Sequence, residues 1–147
     1  LITVAGIDIW EIDCDYIIIP TNCQIRKDGT AVMGAGLAKQ ASDKYSRLQY
    51  LYGKAIQYKK DKPKAITTSD INGKPKSLIC FPTKIHWKDS SSIELIKQNA
   101  ILVSEHVSKD DKIALPKLGC GLGGLNWEIQ VKPMLENILD GRFIVCV

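Results

Sequence analysis

Much that would mark out a common functional class is missing from this chain of 147 residues. It has only two histidines, and none of its five cysteines, at 14, 23, 80, 120 and 146, falls in a CxxC pair or at a Cys/His spacing suited to zinc. That removes the zinc-module and thioredoxin-like readings, and no metal site is expected. The odd cysteine count fits reduced thiols better than a disulfide framework. Cys14, Cys80 and Cys146 lie in or beside apolar runs and read as small buried hydrophobes. Long apolar runs are absent too: none approaches the roughly 18 residues needed to span a bilayer. The start, "LITVAGIDIW", lacks the basic flank and cleavage site of a signal peptide, so the expected location is the cytoplasm. The first residue is Leu, so the chain can be a trimmed piece of a longer one. Neither GxxxxGK[ST] nor a complete GxGxxG occurs, which leaves nucleotide triphosphatase and dinucleotide dehydrogenase readings without their phosphate grip.

What is present fits one globular domain over residues 1–147, because 45% hydrophobic content at this length can bury a single core. Twenty Lys and Arg against sixteen acids give a net charge of +4, a mild excess that favours anionic ligands. Lysines gather in "KKDKPK" (59–64), which lacks arginine and interleaved aromatics and reads as a solvated loop.

Short apolar, β-branched runs bounded by turn residues recur at 1–5, 16–20, 64–69, 77–82, 112–116 and 143–147. Continuous runs of this kind suit strands covered on both faces. Helical patterns lie between them. Leu37, Ala38, Ala41 and Tyr45 make one stripe, and Leu48, Leu51 and Ala55 a second. Ile93, Ile96, Ala100, Val103 and Val107 form a third, with Ser91 and Glu94 spaced as a capping box at its start. The last helix carries Val131, Met134, Leu135 and Ile138; Pro133 must sit in its first turn, so the helix should begin near Val131 after a looser lead-in over 127–130. The expected fold class is α/β, a three-layer α/β/α sandwich with a mixed central sheet.

Two glycine loops then stand out. "LPKLGCGLGGLNW" (115–127) follows one strand and "NCQIRKDGTAVMGAG" (22–36) another, and each leads into a helix. At the carboxyl edge of an open α/β sheet, such loops turn backbone N–H groups toward a ligand, and helix ends add positive potential. Each helix end favours an anion by roughly 0.3–1 kcal/mol, up to about 2 when partly buried, so several amides must act together. A diphosphate would suit two such walls.

"DYIIIPTN" (15–22), "VMGAGLA" (32–38), "FPTKIHW" (81–87) and "LPKLGCGLGGLNW", after "VAGIDI" (4–9), resemble in that order a macrodomain, the ADP-ribose-binding fold. The resemblance covers essentially the whole chain and is strongest to the branch of terminal ADP-ribose protein glycohydrolases and DNA ADP-ribosyl glycohydrolase antitoxins. It implies ADP-ribose lying across the carboxyl-edge crevice. Asp8, with Ile9 beside it, matches the acid that accepts from the adenine amino group, one residue out of the usual register. Asn22 matches the contact to the distal ribose. Met33, Gly34, Ala35 and Gly36 match the first phosphate and ribose loop, and Pro116, Gly119, Cys120, Gly121, Leu122 and Gly123 the second. No aromatic directly follows the last strand to stack on adenine.

The same resemblance implies that Lys84 attacks the anomeric carbon of the distal ribose. Such a step needs a neutral amine, and only about one in two thousand free lysines is neutral at pH 7. A shift of about three units, roughly 4 kcal/mol, must come from burial or neighbouring positive charge, for which Lys117 and the helix ends are candidates. His86, two residues on, would share the face of Lys84 if the chain stays extended and could then shuttle protons. Trp87 is expected to pack, as is Cys120 beneath its loop. In the protein-directed branch an aspartate helps to resolve the lysine adduct; the matching position here is Gly123, as in the DNA-directed branch.

The leading expectation is therefore a hydrolase that removes mono-ADP-ribose from a protein or nucleic-acid acceptor, with no cofactor. Its expected partners are ADP-ribose, the modified acceptor and a separately encoded ADP-ribosyltransferase or toxin, with no membrane. Alternatives are a non-catalytic ADP-ribose reader, an ADP-ribose 1''-phosphate phosphatase, an O-acetyl-ADP-ribose deacetylase, and a basic nucleic-acid-binding domain whose glycine loops hold backbone phosphate.

Overall fold

A computed structural model describes residues Leu1–Val147. Six strands, β1 (Ile2–Val4), β2 (Tyr16–Thr21), β3 (Lys64–Ser69), β4 (Pro75–Pro82), β5 (Ile113–Leu115) and β6 (Phe143–Cys146), form one mixed sheet in the order β1-β6-β5-β2-β4-β3. Every neighbouring pair is parallel except β3 with β4. The carboxyl ends of β1, β2, β4, β5 and β6 consequently share one edge, while β3 starts there.

The central strands β2, β4 and β5 are continuous apolar runs because both faces are covered, whereas the edge strands β1 and β3 leave residues exposed. In β2, Ile18 faces one core and Ile17 and Ile19 the other; in β4, Ile79 and Phe81 oppose Leu78 and Cys80 in the same way. The first face packs against α3 (Ile93–His106) and α4 (Lys132–Glu136), through Ile96, Ala100, Val103 and Leu135. On the second face lie α1 (Gly36–Lys44) and α2 (Leu48–Ala55), through Ala41, Leu48 and Tyr52. This is the expected three-layer sandwich. Burial of each large aliphatic side chain contributes about 1.5–3 kcal/mol, and the two clusters straddle the sheet rather than meet in one core.

Local chemistry sets the helix starts, one of them differently from expectation. Ser92, not Ser91, caps α3: its Oγ accepts from the Leu95 N–H at 3.2 Å. Ser91 instead turns inward and is buried. At the last helix the lead-in is a wide π-type turn over Trp127–Val131, closed by Val131 N–H to the Asn126 carbonyl at 3.2 Å and capped by the Asn126 side chain. Pro133 falls in the first turn of α4, where its missing N–H costs nothing. No helix is long and apolar enough to cross a membrane.

Candidate ADP-ribose site

At the shared carboxyl edge lies a cavity of about 810 Å³, within the range of a typical small-ligand site. Its floor is the end of β2, Pro20 to Asn22, and one wall is the loop from Val32 into α1. The opposite wall is Pro116 to Gly123 after β5, and the third side is Thr83, Lys84 and Trp87 to Asp89 after β4. Among the lining charges are Lys84, Lys88 and Lys117 against Asp89 alone, a balance that favours an anion.

Both glycine loops are held from behind. Asn22 donates from Nδ2 to the Val32 carbonyl at 3.0 Å and accepts on Oδ1 from the Gln24 N–H at 2.9 Å, so it ties the end of β2 to the first loop. An amide has two donors and two lone pairs, which leaves Asn22 one of each for a hydroxyl in the cavity. Beneath it, Tyr52 donates to the Asn22 carbonyl at 3.0 Å and shares a 2.8 Å hydrogen bond with Thr21. Burial pushes the Tyr52 phenol far up, so it stays a neutral donor. Gly53 of α2 is buried beneath the same loop; a Cβ there would strike the Gly29 carbonyl and stand 3.0 Å from the Ala31 nitrogen.

The second loop needs its glycines for two reasons. Gly119 is left-handed, φ +74°, and a Cβ would lie 2.9 Å from both Ile96 Cδ1 and Leu125 Cδ1. Gly123 is buried against Gly119 and Ser91, and a Cβ there would come within 2.5 Å of the Gly119 carbonyl oxygen and closer still to Ser91 Oγ. Ser91 N–H in turn donates to the Gly123 carbonyl at 2.8 Å, and Ser92 N–H to the Thr83 carbonyl at 2.8 Å. The segment that carries Lys84 is thereby fastened to the second glycine loop.

Of the residues singled out in the sequence, Asn22, Met33 to Gly36, Lys84, Pro116 and Gly119 to Gly123 all line this cavity. Asp8, Ile9 and His86 do not. Asp8 is exposed and caps a 3-10 turn at Ile9–Glu11, accepting from the Trp10 N–H at 3.0 Å. That turn docks on α1, where Trp10 Nε1 donates to Gln40 at 2.9 Å and the indole packs 6.1 Å from Tyr45. β4 ends at Pro82 and the chain bends, so the extended path that would have aligned His86 with Lys84 does not persist. His86 Nδ1 accepts from the Lys88 N–H at 3.2 Å and its ring stacks on Trp87, with centroids 6.0 Å apart. Trp87 was expected to pack; it is 50% exposed at the rim, because no core lies beyond the bent segment to receive it.

Lys84 is half-buried and takes part in none of the five ion pairs. The Cys120 thiol, by contrast, is raised by burial against the opposing pull of Lys117 and donates to the Leu118 carbonyl at 3.2 Å, a packed and protonated group. All five cysteines are free. No three His, Cys, Asp or Glu side chains group as metal ligands. Thr83 and Ser91 also line the cavity and Tyr52 supports it from beneath; Thr83 and Tyr52 carry no sequence signal of their own, and the signal at Ser91 points to a helix cap rather than to the site.

Residues 18–134 match the model of the Macro domain family. The chain belongs to the macro domain family. It is 31% identical over 133 residues to the DNA ADP-ribosyl glycohydrolase of Mycobacterium tuberculosis, covering 87% of this chain and 36% of that protein. It is 33% identical over 128 residues to a DNA ADP-ribosyl transferase-DNA ADP-ribosyl glycohydrolase fusion protein of Thermosipho africanus, covering 74% and 32%. The chain thus spans about a third of the length of these relatives. Among solved structures, the macrodomain of Mycobacterium tuberculosis DarG superposes with a TM-score of 0.74 at 28% identity, over 99% of this chain and 97% of that one. Thermosipho africanus DarTG in complex with ADP-ribose gives 0.73 at 27% identity, over 90% and 38%. This macro domain therefore has the mixed sheet of its family, with its cavity at the edge where the glycine loops lie.

Proposed function

We propose that this macro domain binds ADP-ribose across the carboxyl edge and hydrolyses mono-ADP-ribose from a nucleic-acid acceptor, with Lys84 as nucleophile. The observation that carries the reading is Lys84 in the wall of the same cavity as both glycine loops, with no acid paired to it. The amides of Gly34 to Gly36 and Gly119 to Gly123 face the diphosphate, and Asn22 holds a hydroxyl of the distal ribose. Asp8 and Ile9 lie outside the lining of that cavity, so they take the adenine end only where ADP-ribose extends past it onto the turn docked against α1.

In the chemical step, the lone pair of the Lys84 amine forms a bond to the anomeric carbon while the bond from that carbon to the acceptor breaks. The acceptor departs with the bonding pair and takes up a proton. Water then hydrolyses the ribosyl–lysine adduct, releasing ADP-ribose and the free amine. His86, stacked on Trp87, acts by positioning the bent segment and not by proton transfer.

A nucleic-acid acceptor is favoured over a protein carboxylate because Gly123 has no room for the aspartate of the protein-directed branch. The names of the relatives point the same way. The test is release of ADP-ribose from ADP-ribosylated thymidine in single-stranded DNA and from ADP-ribosylated glutamate in protein. Release from DNA that Lys84→Ala abolishes without loss of ADP-ribose binding supports the reading. Binding with no release from either substrate would make the domain a reader, and release from protein alone would overturn the acceptor assignment.

A further inference from the structure

We infer that a surface built from Trp87, Tyr58 and the lysine loop at 59–64 holds a single-stranded nucleic acid beside the catalytic cavity. The inference deepens the preceding reading and rests on it for the chemistry at Lys84. Two exposed aromatic rings stand at this edge with no core to fill: Trp87 is 50% exposed and Tyr58 71%. Each has a lysine over its ring, Lys88 at 5.2 Å from the Trp87 centroid and Lys59 at 5.4 Å from that of Tyr58. Trp87 lines the same cavity as Lys84, the residue assigned to the anomeric carbon.

The lysine loop reaches the same edge by topology. β3 runs against β4, with Lys64 opposite Cys80, so the residues before Lys64 lie beyond the carboxyl end of β4. Asn99, wholly buried, clamps them there: Nδ2 donates to the Asp61 carbonyl at 3.1 Å and to the Pro82 carbonyl at 2.9 Å, two residues before Lys84. Lys64 Nζ donates to the Tyr58 carbonyl at 2.7 Å and fixes the loop from inside. Cys23 lies between the two segments, with its N–H on the Ile85 carbonyl at 2.9 Å and its thiol under the charges of Asp61, Lys60 and Lys64. The run expected to be a plain solvated loop is therefore held in place, with Tyr58 supplying the aromatic that the lysine run itself lacks.

With Lys64 turned onto the Tyr58 carbonyl, Lys59, Lys60 and Lys62 stand against one acid, Asp61, which Lys62 meets at 4.0 Å, so a net positive charge remains for phosphate. Flat exposed rings beside lysines suit stacked bases in a strand, whose flexible backbone can reach both features. An acidic peptide would satisfy the lysines but leave the Tyr58 ring without a flat partner.

The experiment measures binding of an unmodified, fluorescein-labelled dT12 strand by anisotropy over a salt series, with free ADP-ribose affinity measured by calorimetry. Wild type should bind the strand. Lys60→Ala/Lys62→Ala should lower the slope of log affinity against log salt by about 1.4, because each lost phosphate contact on a single strand removes about 0.7. Tyr58→Ala should weaken binding about five-fold or more with the slope unchanged, and Trp87→Ala likewise, since one stacked base is lost in each. The Tyr58 and lysine variants line no part of the cavity and should keep ADP-ribose affinity within about two-fold, which also reports that they fold. No strand binding by wild type, no effect of these variants, or equally tight binding of a polyglutamate of matched charge would each overturn the inference. ADP-ribose release could persist in any of those cases, leaving the assignment of Lys84 standing. Loss of release with strand binding intact would sink the Lys84 reading alone.

Discussion

Ser91 donates its backbone N–H to the carbonyl of Gly123 at 2.8 Å, which joins the segment after Lys84 to the second glycine loop. The loop can approach so closely only because position 123 has no Cβ. Gly123→Asp should force the loop away from Ser91 and Gly119. Overpacking of this kind costs about 1–3 kcal/mol, which in a domain of this length lowers the Tm by about 2–12 °C. ADP-ribose affinity should fall ten-fold or more, since the displaced amides are those assigned to the diphosphate. Calorimetric melting and titration read both quantities, and an unchanged Tm would show that the loop has slack.

Tyr52→Phe tests the support beneath Asn22. The hydroxyl bonds Thr21 at 2.8 Å and the Asn22 carbonyl at 3.0 Å in a buried setting. Its removal leaves two polar groups unpaired, at about 1–3 kcal/mol, so the chemical-denaturation midpoint should fall. If Asn22 holds the distal ribose, ADP-ribose binding should weaken in the same variant. Binding that stays at the wild-type level while stability drops would separate Asn22 from the ligand.

Most of this frame was legible in the sequence. Apolar runs at 16–20 and 112–116 became β2 and β5 within a residue at each end, because burial on both faces leaves little choice of residue type. The second glycine loop was legible because close packing excludes side chains there: Gly123 lies against the Gly119 carbonyl, and Gly119 against Ile96 and Leu125. Legibility ended where a position depends on a bend. Nothing in "TKIHW" announces that β4 stops at Pro82, and that one bend both takes His86 off the face of Lys84 and leaves Trp87 exposed. The cap of α3 was one residue off because two serines in a row satisfy the same pattern, and only the tertiary bond to Gly123 decides which turns inward. The clamp by Asn99 joins residues 61, 82 and 99, a long-range contact without a local signature.

The thiols predict how stability changes in alkali. Burial pushes Cys23 up from 9.0 to about 11, and Cys80 in the same direction. An unfolded thiol releases its proton near 9.0 while the folded one retains it, so the contribution is intact below pH 9 and is lost as pH rises toward 11. The urea midpoint of wild type should therefore decline over that interval, and the decline should be shallower in Cys23→Ala. Parallel curves for the two proteins would show that Cys23 ionises as readily in the folded state.

The central claim is covalent chemistry at Lys84, and trapping reads it most directly. Wild type would be mixed with ADP-ribosylated single-stranded DNA and treated during turnover with cyanoborohydride, which reduces the ring-opened imine of the ribosyl–lysine adduct to a stable amine, then digested and analysed by mass spectrometry. The account predicts an ADP-ribose adduct on the peptide that contains Lys84, and neither adduct nor release in Lys84→Ala. Release that continues undiminished in Lys84→Ala, with no adduct trapped on the wild type, would contradict it.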